Sequence, residues 1–211
     1  MALPPLRNIY ALGRTYAAHA EELGNKLEAD PLIFMKPASA VVPSGSVVSL
    51  PQDVGACHHE VELALLIGAP LHRATSEASA AAIVGYGLAI DLTLRELQAK
   101  LKARGRPWER AKAFEGSCPL SPLLPCAEFP GVEEAELRLW INGEARQRGQ
   151  PRDMILSLPE LVAFVSRSFV LRPGDLILTG TPPGVGPVVD GDRLLATLGE
   201  KLRLEISFSA L

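Results

Sequence analysis

CHHEVELALLIG, residues 57–68, places two histidines and two glutamates in its first six positions and then turns wholly apolar. Side chains two apart on a strand point to the same face. As a strand, this stretch sets His58, Glu60 and Glu62 on one face, with Val61, Leu63 and Leu65 interleaved on the other. Paired carboxylates repel, and burying them is costly unless something neutralises them. A divalent cation does so; a polar face on a solvated edge strand is the plainer alternative.

The segments around this strand read as further strands and short helices. SVVSLP (46–51), GYGLAIDLTL (85–94), GDLILTG (174–180) and KLRLEISF (201–208) carry strand patterns. In the last, Leu202, Leu204, Ile206 and Phe208 share a face. ELRLWINGEARQRG (136–149) predicts a hairpin that turns on Asn142-Gly143. Helices are expected over 15–24, between Thr15 and Gly24, over 76–84 behind Ser76, and over RELQAKLKARG as far as Gly105. Another is expected over 157–165, with Ser157 and Glu160 as a capping box. Strands outnumber helices, and few strand pairs are separated by a long helical crossover. The expected class is α+β, mainly β: a mixed, largely antiparallel core with peripheral helices, and not a doubly wound sheet.

The 211 residues suit one domain, and a hydrophobic content of 47% supports a sizeable core. The net charge of −3, with acids and bases interspersed, provides no basic patch for nucleic acid or an anionic membrane. The apolar runs are far short of a membrane span, and the N-terminus lacks the charged-then-apolar order of a signal peptide. Cys57, Cys118 and Cys126 are odd in number and lack metal-site spacing, which fits a reduced cytoplasmic setting.

Four groups of residues are able to carry chemistry. Asp91, in the apolar stretch GLAIDLT, is the natural third ligand beside Glu60 and Glu62, unless it caps the next helix. Three carboxylates with open positions suit Mg²⁺, Mn²⁺ or Ca²⁺, whereas zinc would prefer His58 or His59. In HAEELG, residues three apart face each other on a helix, so His19 pairs with Glu22. A carboxylate on an imidazole makes a general base; a surface ion pair is the alternative. Lys112, in RAKAFEGSCP, is either a solvated lysine or the group that holds an anionic substrate or a developing enolate. LTGTPPGVG (178–186) is either a turn or a loop whose backbone N–H groups face an oxyanion or carboxylate, and it lacks the ending of a P-loop.

Taken in order, GRTYAAHAEELG, LIFMKPASA, HHEVELALLIG, GYGLAIDLTLRELQ, WERAKAFEGSCPLSP, INGEARQ and ILTGTPPGVGP resemble the fumarylacetoacetate hydrolase family over residues 13–187. The resemblance is nearest to its short members of the acylpyruvase and oxaloacetate decarboxylase type. It implies a mixed β-sandwich roll with short peripheral helices, one catalytic domain over residues 1–211, a homodimer, and Mg²⁺ or Mn²⁺. It implies Glu60, Glu62 and Asp91 as metal ligands, and His19 and Glu22 as a water-activating dyad. Lys112 stands at the catalytic lysine position, and Arg95, Gln98, Gly180 and Thr181 at the substrate site. Thr15 stands where many members have asparagine, and Glu115 where many have aspartate. The implied activity is metal-dependent hydrolytic C–C cleavage of acylpyruvates, β-diketo acids whose leaving group is the enolate of pyruvate. Decarboxylation of oxaloacetate passes through the same enolate. Two other activities compete with it: isomerisation of 2-hydroxyhepta-2,4-diene-1,7-dioate, or oxo-acid tautomerisation, in aromatic catabolism, and non-catalytic binding of an oxo acid by a cation-stabilised domain.

Overall fold

The computed structural model describes residues 3–17 and 30–210. Among these residues the strands form sheets of eight, five and three strands, with short helices around them. The largest sheet runs in the order Leu32–Lys36, Ile9–Gly13, Leu176–Leu178, Val61–Ile67, Ile83–Ile90, Cys118–Leu120, Val41–Pro43, with Leu124–Pro125 paired to Ile83–Ile90. The second is Glu144–Gly149, Leu137–Ile141, Arg193–Leu198, Leu202–Ala210, Val47–Leu50. The third joins Gly186–Val188, Cys57–His59 and Thr93–Leu94. Pairing is antiparallel except where Ile9–Gly13 meets Leu176–Leu178, Val41–Pro43 meets Cys118–Leu120, and Leu202–Ala210 meets Val47–Leu50. The fold is mainly β and mixed, with short helices at its edges, as the pattern of segments predicts.

Val61–Ile67 is central, and every one of its residues is buried. Leu63, Leu65 and Ile67 join the main core together with Leu137, Leu139 and Leu194 of the five-stranded sheet. Ala64 and Leu66 face the other way, into a smaller core with Ile9, Ala11, Leu176 and Leu178. A strand covered on both faces reads as a nearly unbroken apolar run. Each buried leucine contributes about 1.5–3 kcal/mol, so the strand's place in the sheet is strongly specified.

The run from 57 to 68 is two strands rather than one. Cys57–His59 lies in the three-stranded sheet and Val61–Ile67 in the eight-stranded sheet, with Glu60 at the crossing. The chain bends there, and the Val61 N–H, on the side where the neighbouring strand Leu176–Leu178 has ended, donates to the Gln147 side chain at 3.1 Å. The strand on the other side also changes sheet. Ile83–Ile90 pairs in the large sheet and Thr93–Leu94 in the small one, with Asp91 between them. The Asp91 N–H donates to the Glu60 carbonyl at 2.8 Å. The two acids therefore meet where a strand pair passes from one sheet to another.

The local signals are realised with small shifts. Asn142 and Gly143 both have positive φ, 52° and 83°, as a two-residue type I′ hairpin requires. Ser157 and Glu160 form the capping box of a helix that runs on to Ser168. The helix Arg95–Ala103 closes with Gly105 N–H on Lys102 O and Arg106 N–H on Leu101 O, a Schellman motif. The helix expected over 76–84 ends at Ala82, because Ile83 and Val84 are drawn into the strand beside Val61–Ile67. Its cap is Thr75, which accepts from Ala78 N–H, rather than Ser76. Most of the helix expected over 15–24 lies outside the described residues.

Gly143 and Gly180 both hold a left-handed backbone, but with different surroundings. A Cβ on Gly143 would meet nothing within 4 Å, whereas one on Gly180 would lie 1.9 Å from Thr15 Oγ1. Gly143→Ala is expected to cost only the left-handed strain, about 1–2 kcal/mol. Gly180→Ala adds a steric overlap and is expected to cost at least twice as much. Denaturant unfolding of the two variants measures the difference, and equal losses would contradict the close packing of the 179–184 loop.

Candidate active site

Glu60, Glu62 and Asp91 are all buried, and one oxygen from each lies within 4.8 Å of the others. They line a cavity of about 270 Å³ together with Arg95, Gln98, Lys112 and Thr181. Arg14, Phe34 and Trp108 complete much of its wall. The donor set is oxygen alone: among the described residues no histidine or cysteine joins the group. Such a set fits a hard divalent ion, Mg²⁺ or Mn²⁺, better than zinc.

The charges around the carboxylates are arranged in pairs. Glu60 contacts the Arg95 guanidinium through Oε1 and the Lys112 ammonium through Oε2, the latter at 2.8 Å. Asp91 Oδ2 lies 2.5 Å from the same ammonium, and Asp91 Oδ1 lies 2.7 Å from Lys36 Nζ. Lys112 also reaches Thr93 Oγ1 at 2.6 Å, and its Nζ sits 4.8 Å from the centre of the Phe34 ring. Burial pushes Glu60 upward, but Lys112 and Arg95 outweigh it and hold the carboxyl below its ordinary range. Burial lowers Lys112, and Asp91 and Glu60 more than reverse this, so the lysine stays charged. Glu62 differs: burial, then the charges of Asp91 and Glu60, raise it well above the usual carboxylate range. Lys112 and the Gly180 N–H, which donates to Oε2 at 2.7 Å, only partly offset this.

Most of the residues singled out in the sequence converge here, each with a defined partner. Asp91 does not cap the following helix, whose N-cap is Leu94. Lys112 is 2% exposed and is not a solvated lysine. Gln98 accepts from Arg95 Nη1 at 2.8 Å through Oε1, which leaves its amide hydrogens for the cavity it lines. Gly180 supplies its N–H to the protein's own Glu62, so the loop does face a carboxylate, but an internal one. Thr15 donates its hydroxyl to Thr179 O at 2.7 Å. His58 does not join the acids. It is half-buried, and burial together with Arg95 lowers it to about 4. The bend at Glu60 ends the two-residue period that would have aligned it. His19 and Glu22 lie outside the described residues.

Lys36 is the residue that sequence reasoning missed. Its side chain is fully buried, and besides the pair with Asp91 it donates to the carbonyls of Lys112 and Ser117, the latter at 2.9 Å. It thus binds Asp91 to the backbone that carries Lys112. The available signal was a lysine closing the apolar strand LIFMK.

The chain belongs to the fumarylacetoacetate hydrolase family: the family model described as fumarylacetoacetate (FAA) hydrolase C-terminal matches residues 8–211. It is 48% identical over 194 residues to oxaloacetate tautomerase YcgM of Escherichia coli (strain K12), a match that spans 92% of this chain and 89% of that protein. It is 44% identical over 188 residues to the mitochondrial oxaloacetate tautomerase FAHD1 of Arabidopsis thaliana, spanning 89% of this chain and 84% of that protein. The crystal structure of fumarylpyruvate hydrolase from Pseudomonas aeruginosa in complex with Mn²⁺ and pyruvate aligns with a TM-score of 0.92 at 41% identity, over 99% of this chain and 91% of that one.

Removing one partner of a buried ion pair leaves an uncompensated charge and costs about 3–5 kcal/mol. Lys36→Met is expected to lose stability on that scale in denaturant unfolding. Lys100→Met, on an exposed helical position, is expected to stay within about 0.5 kcal/mol of the parent. A Lys36→Met variant as stable as Lys100→Met would show that Lys36 does not hold Asp91.

Proposed function

We propose that the protein is a divalent-cation-dependent enzyme that forms and protonates the enolate of a small 2-oxo acid, with keto–enol tautomerisation of oxaloacetate as its main reaction. The observation that carries this is a buried, charged Lys112 touching two members of a three-carboxylate oxygen site inside one cavity. A Mg²⁺ or Mn²⁺ ion held by Glu60, Glu62 and Asp91 would polarise the carbonyl of the oxo acid.

The chain's own residues account for the remaining requirements. The buried Lys112 ammonium stands ready to stabilise negative charge that develops on an enolate oxygen, as a preorganised cation does most effectively away from bulk solvent. Phe34 and Trp108 supply apolar wall beside it. Arg95, the free amide hydrogens of Gln98 and the Thr181 hydroxyl line the same cavity, and donors of this kind suit a carboxylate. Tautomerisation moves one proton from the enol hydroxyl to the adjacent carbon, so it needs no water nucleophile. The 48% identity to an oxaloacetate tautomerase supports this reaction.

Acylpyruvate hydrolysis is the second reading, supported by the likeness to a fumarylpyruvate hydrolase. It would release the enolate of pyruvate as leaving group, the counterpart of the oxaloacetate enolate in tautomerisation, with His19 and Glu22 activating water. Decarboxylation of oxaloacetate would also release the pyruvate enolate. Among the described residues no helix is long and apolar enough to cross a membrane. A cytoplasmic homodimer without nucleic-acid partners remains the setting this reading expects.

The test is a kinetic panel on the Mn²⁺-loaded protein with enol-oxaloacetate, acetylpyruvate and a diene-dioate. Enol-oxaloacetate is expected to turn over fastest. Lys112→Ala is expected to lower every activity by about 10²-fold or more, as for removal of one preorganised oxyanion donor. His19→Ala is expected to lower acetylpyruvate hydrolysis by about 10²-fold or more, the scale of a positioned general base, and to lower tautomerisation less. Faster turnover of acetylpyruvate would make hydrolysis the main activity, and no turnover of any oxo acid would overturn both readings.

A further inference from the structure

We propose that Gln147, which lies behind the cavity, sets the direction of the Thr181 hydroxyl and so makes it a hydrogen-bond donor to a carboxylate oxygen of the bound oxo acid. This rests on the oxo-acid reading above. Gln147 belongs to Glu144–Gly149, an edge strand of the five-stranded sheet. Pairing there is irregular: Leu139 opposes Gln147, yet Trp140 opposes Ala145, so Arg146 is the extra residue of a bulge. In a regular ladder Leu139 would oppose Arg146, and Gln147 would fall on the outer face. The bulge turns Gln147 inward, at 2% exposure, between the exposed Arg146 and Arg148. Re-aiming a side chain beside an active site is a recurrent use of bulges.

Two obligate partners fix which end of the amide is which. The Val61 N–H can only donate, and it meets Oε1 at 3.1 Å. The Pro182 carbonyl can only accept, and it lies 2.8 Å from Nε2. Nδ1 of buried His59, 2.9 Å from Oε1, then carries the imidazole hydrogen. The second Nε2 hydrogen falls on Thr181 Oγ1 at 2.8 Å. A hydroxyl has a single hydrogen. Having accepted from Gln147, the Thr181 hydroxyl keeps its own hydrogen for another acceptor, and Thr181 is one of the residues that line the cavity.

The loop is held against the same strand by packing. A Cβ on Gly184 would come within 2.0 Å of Arg146 O, and one on Gly149 within 2.7 Å of Pro182 Cβ. Both the place and the polarity of Thr181 are thus set by an element outside the cavity. A hydroxyl fixed as donor favours carboxylate and enolate oxygens, and gives no partner to a ligand N–H. Gln147 is accordingly a positioning residue, and it acts on specificity through Thr181.

The experiment is calorimetric titration of oxalate into the Mn²⁺-loaded full-length protein, with Thr181→Val, Thr181→Ser, Gln147→Glu and the Gln147→Glu/Thr181→Val double variant. A carboxylate at position 147 only accepts, so it draws the Thr181 hydrogen onto itself. Gln147→Glu and Thr181→Val are each expected to weaken oxalate by about tenfold or more, the scale of a hydrogen bond to a charged group. The double variant is expected to bind no more weakly than Thr181→Val alone, and Thr181→Ser to bind like the parent. Mn²⁺ affinity, titrated separately, is expected to stay constant across the set. If Gln147→Glu does not fold by circular dichroism, Gln147→Met in both Thr181 backgrounds completes the same cycle. Additive losses, or parental oxalate binding by the Gln147 variant, would overturn the assignment while leaving the oxo-acid reading standing. Failure of the parent to bind oxalate would overturn both.

Discussion

Asp91 and Glu60 carry buried negative charge at the point where two paired strands leave one sheet for another, and that charge is matched from within the protein. The attraction between buried ions repays their lost hydration only when geometry is good and the remaining hydrogen-bonding groups are satisfied. Here every carboxylate oxygen of the two acids has a cation beside it, although Arg95 Nε finds no hydrogen-bond partner. Lys36 and Lys112 take separate oxygens of Asp91, and Lys112 and Arg95 take separate oxygens of Glu60. Lys36 then reaches the carbonyls of Lys112 and Ser117, and so ties the site to the segment that follows the helix Arg95–Ala103. The crossing of the strands and the cluster of charges depend on each other: without the bend the acids would not face one another, and without the cations the bend would bury them unpaired.

The features legible in the sequence are those set by neighbours along the chain. The Asn142-Gly143 turn, the Ser157–Glu160 cap and the apolar run from Leu63 to Ile67 all follow from residues a few positions apart. The acids at 60, 62 and 91 were legible as well, because charge inside otherwise apolar strand patterns has few structural explanations. What escaped depends on distant partners. Lys36 meets carbonyls 56 to 81 residues away. His58 followed the period of its strand on paper, but the bend at Glu60, stabilised by a side chain from position 147, separates it from the acids. The inward turn of Gln147 comes from a bulge that no spacing in the segment reveals.

The three sheets have distinct tasks at the site. The large sheet supplies Glu62 and the apolar floor, the small sheet draws Glu60 and Asp91 out of line, and the five-stranded sheet stiffens the Thr181 loop from behind. The result is a cavity lined by three carboxylates together with the donors Arg95, Gln98, Lys112 and Thr181. Under the proposed function, such a lining suits an anionic oxo acid held between a cation and hydrogen-bond donors, an arrangement open to more than one reaction of that acid. Tautomerisation, decarboxylation and C–C cleavage each pass through the enolate of a 2-oxo acid and differ in how that enolate forms: by loss of a proton, of CO₂ or of an acyl group.

The central claim is that the carboxylates at the seam hold a divalent cation. It is tested most directly by growing crystals with Mn²⁺ and collecting diffraction at the manganese absorption edge. The account predicts that the strongest anomalous peak lies between Glu60, Glu62 and Asp91, within bonding distance of an oxygen from each. A map with no peak there, or with its principal peak elsewhere on the protein, would contradict it.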